Sequence, residues 1–233
     1  MSASEPRQFR AAWWLQNPHL QTLWPLLHKQ KLPVMQEHTV ELPDGDFLEI
    51  CQGVHESDQQ VVIFHGLEGS KHSHYARRMI NTLDRQGIAF TFVHFRGCGK
   101  HPNRKDCSYH SGHTDDIDHI IRQLRRQHPE RRMVAIGYSL GGNALLKYLG
   151  ESEMRRVTDR DRVDGPSQLV DRAVAISPPL QLDACATRLN RGLSRMYQHH
   201  LLRSLKQKTL EKFADRTAPP VDVTAVSYTH LTL

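Results

Sequence analysis

Gly137-Tyr138-Ser139-Leu140-Gly141-Gly142 stands between an apolar run at residues 133–136 and a helical pattern at residues 143–150. A serine on so sharp a strand-to-helix turn is held in strained backbone dihedrals, and the glycines two residues to either side, Gly137 and Gly141, leave room for strand and helix to approach closely. The spacing therefore has a steric cause. By average residue usage a Gly-x-Ser-x-Gly pattern arises by chance about 0.08 times in a chain this long, and the flanking strand and helix lower that figure further. Ser139 is accordingly read as a nucleophile. Leu140, whose backbone N–H falls at the helix N-terminus, is read as a donor to a developing oxyanion.

The same strand, loop and helix pattern repeats upstream. Residues 61–64 are an apolar, β-branched run closed by His65-Gly66-Leu67-Glu68-Gly69-Ser70, and residues 75–86 read as a helix. Residues 88–95 form a continuous apolar strand closed by Arg96-Gly97-Cys98-Gly99, with a helix at residues 114–127, and residues 173–176 give a further strand closed by Ser177-Pro178-Pro179. Continuous rather than alternating apolarity predicts strands buried on both faces, which with intervening helices makes an α/β fold: a mostly parallel sheet covered by helices on both sides. Residues 37–42 and 47–51 flank Pro43-Asp44-Gly45-Asp46, a hairpin signal that adds an antiparallel pair at the start of the sheet. The loop after the first parallel strand is where a second oxyanion donor belongs. Leu67 N–H is the candidate, with His65 and Gly66 supporting its turn. Thr114 reads as the cap of its helix, with Asp115, Asp116 and Asp118 near the positive helix end.

Composition excludes several classes. The chain has 233 residues, 38% of them hydrophobic, a length that predicts one domain with a sizeable core. Mean hydropathy is −0.57, and no apolar run approaches the roughly 20 residues that a membrane span requires. Residues 1–7 show no secretory pattern, so the cytoplasm is the expected compartment. Four cysteines without a Cys-x-x-Cys pair suit reduced thiols. The closest of the sixteen histidines, His72 with His74 and His199 with His200, lack the companions of a metal site and read as solvated. The formal charge of +6 is dispersed. Arg122, Arg125 and Arg126 fall opposite Ile117, Ile120, Ile121 and Leu124, which predicts a solvated helix face rather than a nucleic-acid interface.

Six segments carry a resemblance: Asn17-Pro18-His19-Leu20-Gln21-Thr22, Leu42-Pro43-Asp44-Gly45-Asp46, Phe64-His65-Gly66-Leu67-Glu68-Gly69-Ser70, His94-Phe95-Arg96-Gly97-Cys98, Tyr109-His110-Ser111-Gly112 and Gly137-Tyr138-Ser139-Leu140-Gly141-Gly142-Asn143. Together they resemble the YheT-like subfamily of α/β-hydrolases, over about residues 14–225. The resemblance implies a serine carboxylesterase with a Ser-Asp-His triad, acting on short-chain or lipid-like esters without a cofactor, with Ser139 as nucleophile.

The pattern departs at its end. In this fold an acid and then a histidine follow the nucleophile on loops after two further strands, and nothing after Pro179 reads as either strand. The triad acid and histidine are expected to be absent, and the 233-residue chain to be truncated and inactive. His199 and His200 fall in a helical stretch and His230 in a tail, residues 227–233, that reads as non-native. The expected organisation is an N-terminal extension over residues 1–36 packing on the domain, a hydrolase core over 37–179, and a helical cap or insertion over 180–226. Trp13, Trp14, Leu15, Leu20, Leu23, Trp24, Leu26 and Leu27 form an apolar N-terminal stripe that packs on the domain or makes weak membrane-surface contact. Two other functions remain open. His110 with Asp115, and His113 with Asp118, form His-x-x-x-x-Asp patterns of the kind found in some acyltransferases, and a fragment lacking its base could serve as a non-catalytic binder.

Overall fold

The computed structural model describes residues 10–27, 30–158, 169–214 and 216. In chain order the elements are α1 (Pro18–Leu27), β1 (Met35–Glu41), β2 (Phe47–Gly53), β3 (Gln59–Phe64), α2 (His74–Arg85), β4 (Ala89–His94), α3 (Asp115–Gln127), β5 (Arg132–Tyr138), α4 (Leu140–Thr158), β6 (Arg172–Ile176), α5 (Leu182–Leu189) and α6 (Ser194–Lys212). The tail 227–233, His230 and the end of the expected cap lie outside the described residues.

The strands form a six-stranded sheet in the order β1-β2-β4-β3-β5-β6. β3 pairs in parallel with β4 and β5, β5 in parallel with β6, while β2 is antiparallel to both β1 and β4. The predicted hairpin therefore forms, turning at Gly45 with φ +84°, a backbone angle that favours glycine. Alternate residues of the central strands feed opposite faces of the sheet. Val62, Phe64, Val93, Met133 and Ala135 pack with Ile117, Ile120, Ile121 and Leu124 of α3 and with Ala144, Leu145 and Tyr148 of α4. Val61, Ile63, Phe90, Phe92 and Ile136 pack with Ala76, Ile80 and Leu83 of α2. Each buried Val, Leu, Ile, Phe or Met side chain among these contributes about 1.5–3 kcal/mol, the alanines less. This two-sided core fixes β3 and β5 side by side at the centre, so that the loops leaving their ends face one another.

Three local expectations are corrected. β6 is not buried on both faces: Val174 is 48% exposed, and among the described residues only β5 pairs with this strand. Arg125 does not belong to a solvated face. It is 8% exposed and donates to the Arg131 and Leu169 carbonyls, at 2.7 and 3.0 Å, and to Asp171 Oδ2 at 2.8 Å. Thr114 precedes α3 without capping it through its side chain, because its hydroxyl donates instead to Glu151 Oε2 at 2.7 Å. Of the N-terminal stripe, Trp13 is 84% and Trp14 42% exposed, and His19 Nδ1 of α1 lies 3.3 Å from the Tyr197 hydroxyl of α6.

Arg96, on the loop after β4, ties the hairpin turn to the start of α3. Its Nε and Nη2 donate to Asp116 at 2.8 and 2.7 Å, and Nη1 donates to Asp44 at 2.6 Å and Asp46 at 3.1 Å. Asp46 is fully buried and also accepts from Asn103 and from the Arg104 and Phe47 backbone N–H groups. Arg96→Met leaves Asp116 and Asp46 buried without their cation, so we expect a loss of about 3–5 kcal/mol in urea unfolding. A loss under about 1 kcal/mol would mean that water reaches these carboxylates and that the hub is not a closed network.

Candidate active site

Ser139 occupies the turn between β5 and α4. Its φ of +49° lies in the left-handed region, which costs a side-chain-bearing residue about 1–2 kcal/mol and persists only where surroundings enforce it. The enforcement is visible. Ser139 N–H donates to the Ile176 carbonyl at 2.9 Å, and the Ser139 carbonyl accepts from Asn143 N–H at 3.1 Å, which starts the α4 ladder. A Cβ placed on Gly137 would fall 2.5 Å from the Gly141 carbonyl oxygen, and one on Gly141 would fall 2.4 Å from that of His65. Both positions thus need glycine for packing, Gly137 between β5 and α4 as expected, but Gly141 against the end of β3 and its loop rather than against β5. The Ser139 side chain is exposed, and its hydroxyl forms no hydrogen bond to any described residue.

The loop after β3 lies against this turn. A Cβ on Gly66 would sit 3.1 Å from Ser139 Cβ, a tight contact that a side chain could make only by shifting the Ser139 turn by a few tenths of an ångström. Along the loop, Gly66 N–H donates to the Tyr75 hydroxyl at 3.0 Å, Glu68 N–H to the Tyr109 hydroxyl at 2.8 Å, and Gly69 N–H to the Gly66 carbonyl at 3.0 Å. Leu67 N–H has no such partner among the described residues. Nor has Leu140 N–H, the first of α4, where helix geometry leaves the leading N–H groups unsatisfied. The two predicted donors are therefore uncommitted on the two segments that meet at Ser139. Tyr75 and Tyr109 were not singled out in the sequence; Tyr109 falls in one of the resembling segments, whereas no pattern marks Tyr75.

No described histidine is hydrogen-bonded to Ser139. His65 is fully buried; its Nδ1–H donates to the Gly66 carbonyl at 2.6 Å and its Nε2 accepts from Phe95 N–H at 3.0 Å. Burial holds its pKa down to about 3, so it stays neutral with both nitrogens occupied and braces the loop. His94 is likewise committed, to the Glu49 carbonyl and Lys71 N–H, with its pKa lowered by burial to about 4. No hydrogen bond or ion pair joins either His-x-x-x-x-Asp pair among the described residues: Asp118 binds Arg122 at 2.7 Å, His113 Nε2 lies 3.8 Å from Asp116, and His110 accepts from Gly112 N–H. His199 lies on α6. A charged cavity of about 500 Å³ lies beside the loop, lined by residues including Glu37, Glu68, Lys71, His94 and Lys208 but not by Ser139.

Residues 60–218 match the family described as having the alpha/beta hydrolase fold. The chain is similar to YheT of Escherichia coli strain K12, named only provisionally as an esterase, at 38% identity over 205 residues, 85% of this chain and 56% of that protein. It is 28% identical over 192 residues to a Saccharomyces cerevisiae protein named medium-chain fatty acid ethyl ester synthase/esterase 2, covering 82% of this chain and 38% of that one. A monoacylglycerol lipase of the same yeast is 28% identical over 144 residues, 60% of this chain and 32% of the lipase. Among solved structures, an esterase of Pyrococcus furiosus is similar with a TM-score of 0.51 at 25% identity, covering 66% of this chain and 56% of that one. The chain thus spans about half or less of the length of these curated relatives.

Proposed function

The chain belongs to the alpha/beta hydrolase fold family, and from that membership we propose that it carries the nucleophile-bearing part of a serine hydrolase of carboxylic esters, short-chain or lipid-like. The observation that supports this best is Ser139: exposed, at φ +49°, with glycine contacts that press the Leu67 loop against it. In this reading Ser139 Oγ attacks the ester carbonyl carbon while a base removes its proton. The carbonyl oxygen becomes an oxyanion held by Leu67 and Leu140 N–H, donors that are worth most when fixed before the charge develops. Collapse breaks the bond to the alcohol, which leaves with the proton from the base, and acyl-Ser139 remains. Water then adds by the same steps, releasing the carboxylic acid and restoring the hydroxyl.

The base and the acid that orients it are assigned to sequence outside these residues. That assignment is supported by the prior commitments of His65 and His94 and by the greater length of the relatives. With no base the described site retains only the residual acceleration, about 10³–10⁴ over water, of the oxyanion donors and binding. The exposed Trp13 and Trp14 favour contact with a lipid-water boundary during substrate uptake.

Acyl transfer to an alcohol is a second reading, favoured by the yeast relative whose name joins ester synthesis to hydrolysis. Both reactions share acyl-Ser139 and differ only in whether water or alcohol resolves it. The full-length protein, given p-nitrophenyl butyrate and quenched during turnover, should carry a butyryl group on the peptide containing Ser139. Added ethanol should divert part of the product to ethyl butyrate. Turnover with the acyl group on another residue, or with no acyl-enzyme in a trapping experiment fast enough to detect it, would count against the reading.

A further inference from the structure

We propose that Glu68 and Lys208 are positioning residues for the Leu67 donor, so that helix α6 sets the geometry of the oxyanion loop. This rests on the reading of Leu67 N–H as an oxyanion donor.

Glu68 adopts φ +54°, a left-handed conformation that a glutamate does not take without restraint. The restraint comes from its own side chain and N–H. Its side chain is 6% exposed and its carboxylate is met by three groups: the Tyr109 hydroxyl at 3.2 Å on Oε1, and the Ser204 hydroxyl at 2.7 Å and Lys208 Nζ at 2.9 Å, both on Oε2. Its N–H is held by the same Tyr109 hydroxyl, on a buried ring stacked against Phe95 with centroids 5.3 Å apart. Ser204 and Lys208 are four residues apart and so share one face of α6.

A carboxylate taken so far out of water is costly unless it is paired, so without Lys208 it would draw away toward solvent. Relaxing φ at Glu68 would then rotate the Leu67–Glu68 peptide and carry Leu67 with it. Leu67 N–H lies in the loop that contacts Ser139 through Gly66. An ion pair joining residues 140 positions apart is thereby connected to the reacting centre, although neither member touches a substrate.

The test compares Lys208→Met, Lys208→Arg, Ser204→Ala and Ser139→Ala in the full-length protein. kcat and KM are measured separately and corrected for the folded fraction, and amide hydrogen exchange is followed over residues 66–69. Lys208→Met should lower kcat by about 10–100-fold, less than the roughly 10²–10³-fold loss of an entire donor, with KM within about threefold and faster exchange in the loop. Lys208→Arg should restore most of kcat. If Lys208→Met fails to fold, Ser204→Ala carries the test, with a loss of about threefold in kcat and the same direction of exchange. A purely structural ion pair would lower the melting temperature while leaving kcat per folded molecule and loop exchange at parental values, and that result would overturn the proposal. Parental turnover in Ser139→Ala would instead overturn the nucleophile reading and the anchor with it, so the two failures are told apart.

Discussion

Ser139→Ala in the full-length protein is expected to lower kcat by about 10⁶-fold while leaving the folded state nearly untouched. The two halves of this expectation have separate causes. The hydroxyl is the atom that forms and breaks the acyl bond, so without it no covalent intermediate exists and only the oxyanion donors and binding remain. The side chain is exposed and makes no hydrogen bond to a described residue, so its removal leaves no cavity and no stranded buried partner. Surface changes of this kind stay within about 0.5 kcal/mol. Ser139→Gly sharpens the point, because glycine adopts φ +49° without the steric penalty of a Cβ. It should be as inactive as alanine and more stable by up to about 1 kcal/mol, which is the strain of about 1–2 kcal/mol at this turn less the freedom that glycine adds to the unfolded chain. Hydrolysis of a p-nitrophenyl ester with urea unfolding of the three proteins measures both. An alanine variant with parental turnover would remove Ser139 from the chemistry, and a glycine variant less stable than the parent would mean that the turn is held by more than its backbone.

The centre of this fold was legible in the sequence because it is written in local runs. Residues 61–64 are apolar without interruption and residues 88–95 are broken only by Thr91 and His94, and they become β3 and β4, whose faces are filled on both sides. Gly137 likewise encodes a contact between β5 and the helix that immediately follows it, whereas the room that Gly141 leaves is taken by the Phe64 and His65 carbonyls of a different strand and its loop. What the sequence could not show depends on partners far along the chain. Residues 173–176 have the same apolar character as the central strands, yet exposure of Val174 follows from β6 lying beside β5 alone among the described strands, and no local run encodes position in a sheet. Arg125 sits at a helical position that should face water and is instead drawn in by the Leu169 carbonyl and Asp171, more than forty residues away. In the site, Leu67 and Leu140 follow from the motif. The hydroxyls of Tyr75 and Tyr109, which occupy the N–H groups on either side of Leu67, come from separate segments and could only be found in three dimensions.

Gly141→Val should produce the second large loss, and the distances say where it arises. A Cβ at this position meets the His65 carbonyl oxygen at 2.4 Å and the Phe64 carbonyl oxygen at 2.8 Å, and both are backbone atoms that cannot swing aside as a flexible side chain would. Phe64 ends β3, which is held by ladders to β4 and β5, so it is the start of α4 that must yield. That movement carries Leu140 N–H and the Ser139 turn away from the Leu67 loop. A displacement near 1 Å costs about 10² in rate even where every group is still present, and the overpacking itself destabilises by about 1–3 kcal/mol. We therefore expect kcat of the folded variant to fall at least about 100-fold, together with a lower unfolding midpoint. Gly150→Ala supplies the comparison, since it lies in the same helix with nothing within 4 Å of its Cβ position. It should keep parental turnover and gain about 0.5–1 kcal/mol, because alanine loses less backbone freedom in a helix than glycine. A folded Gly141→Val enzyme with parental kcat would mean that α4 and the loop can separate without disturbing the donors, and the arrangement assigned to Leu67, Ser139 and Leu140 would then fail.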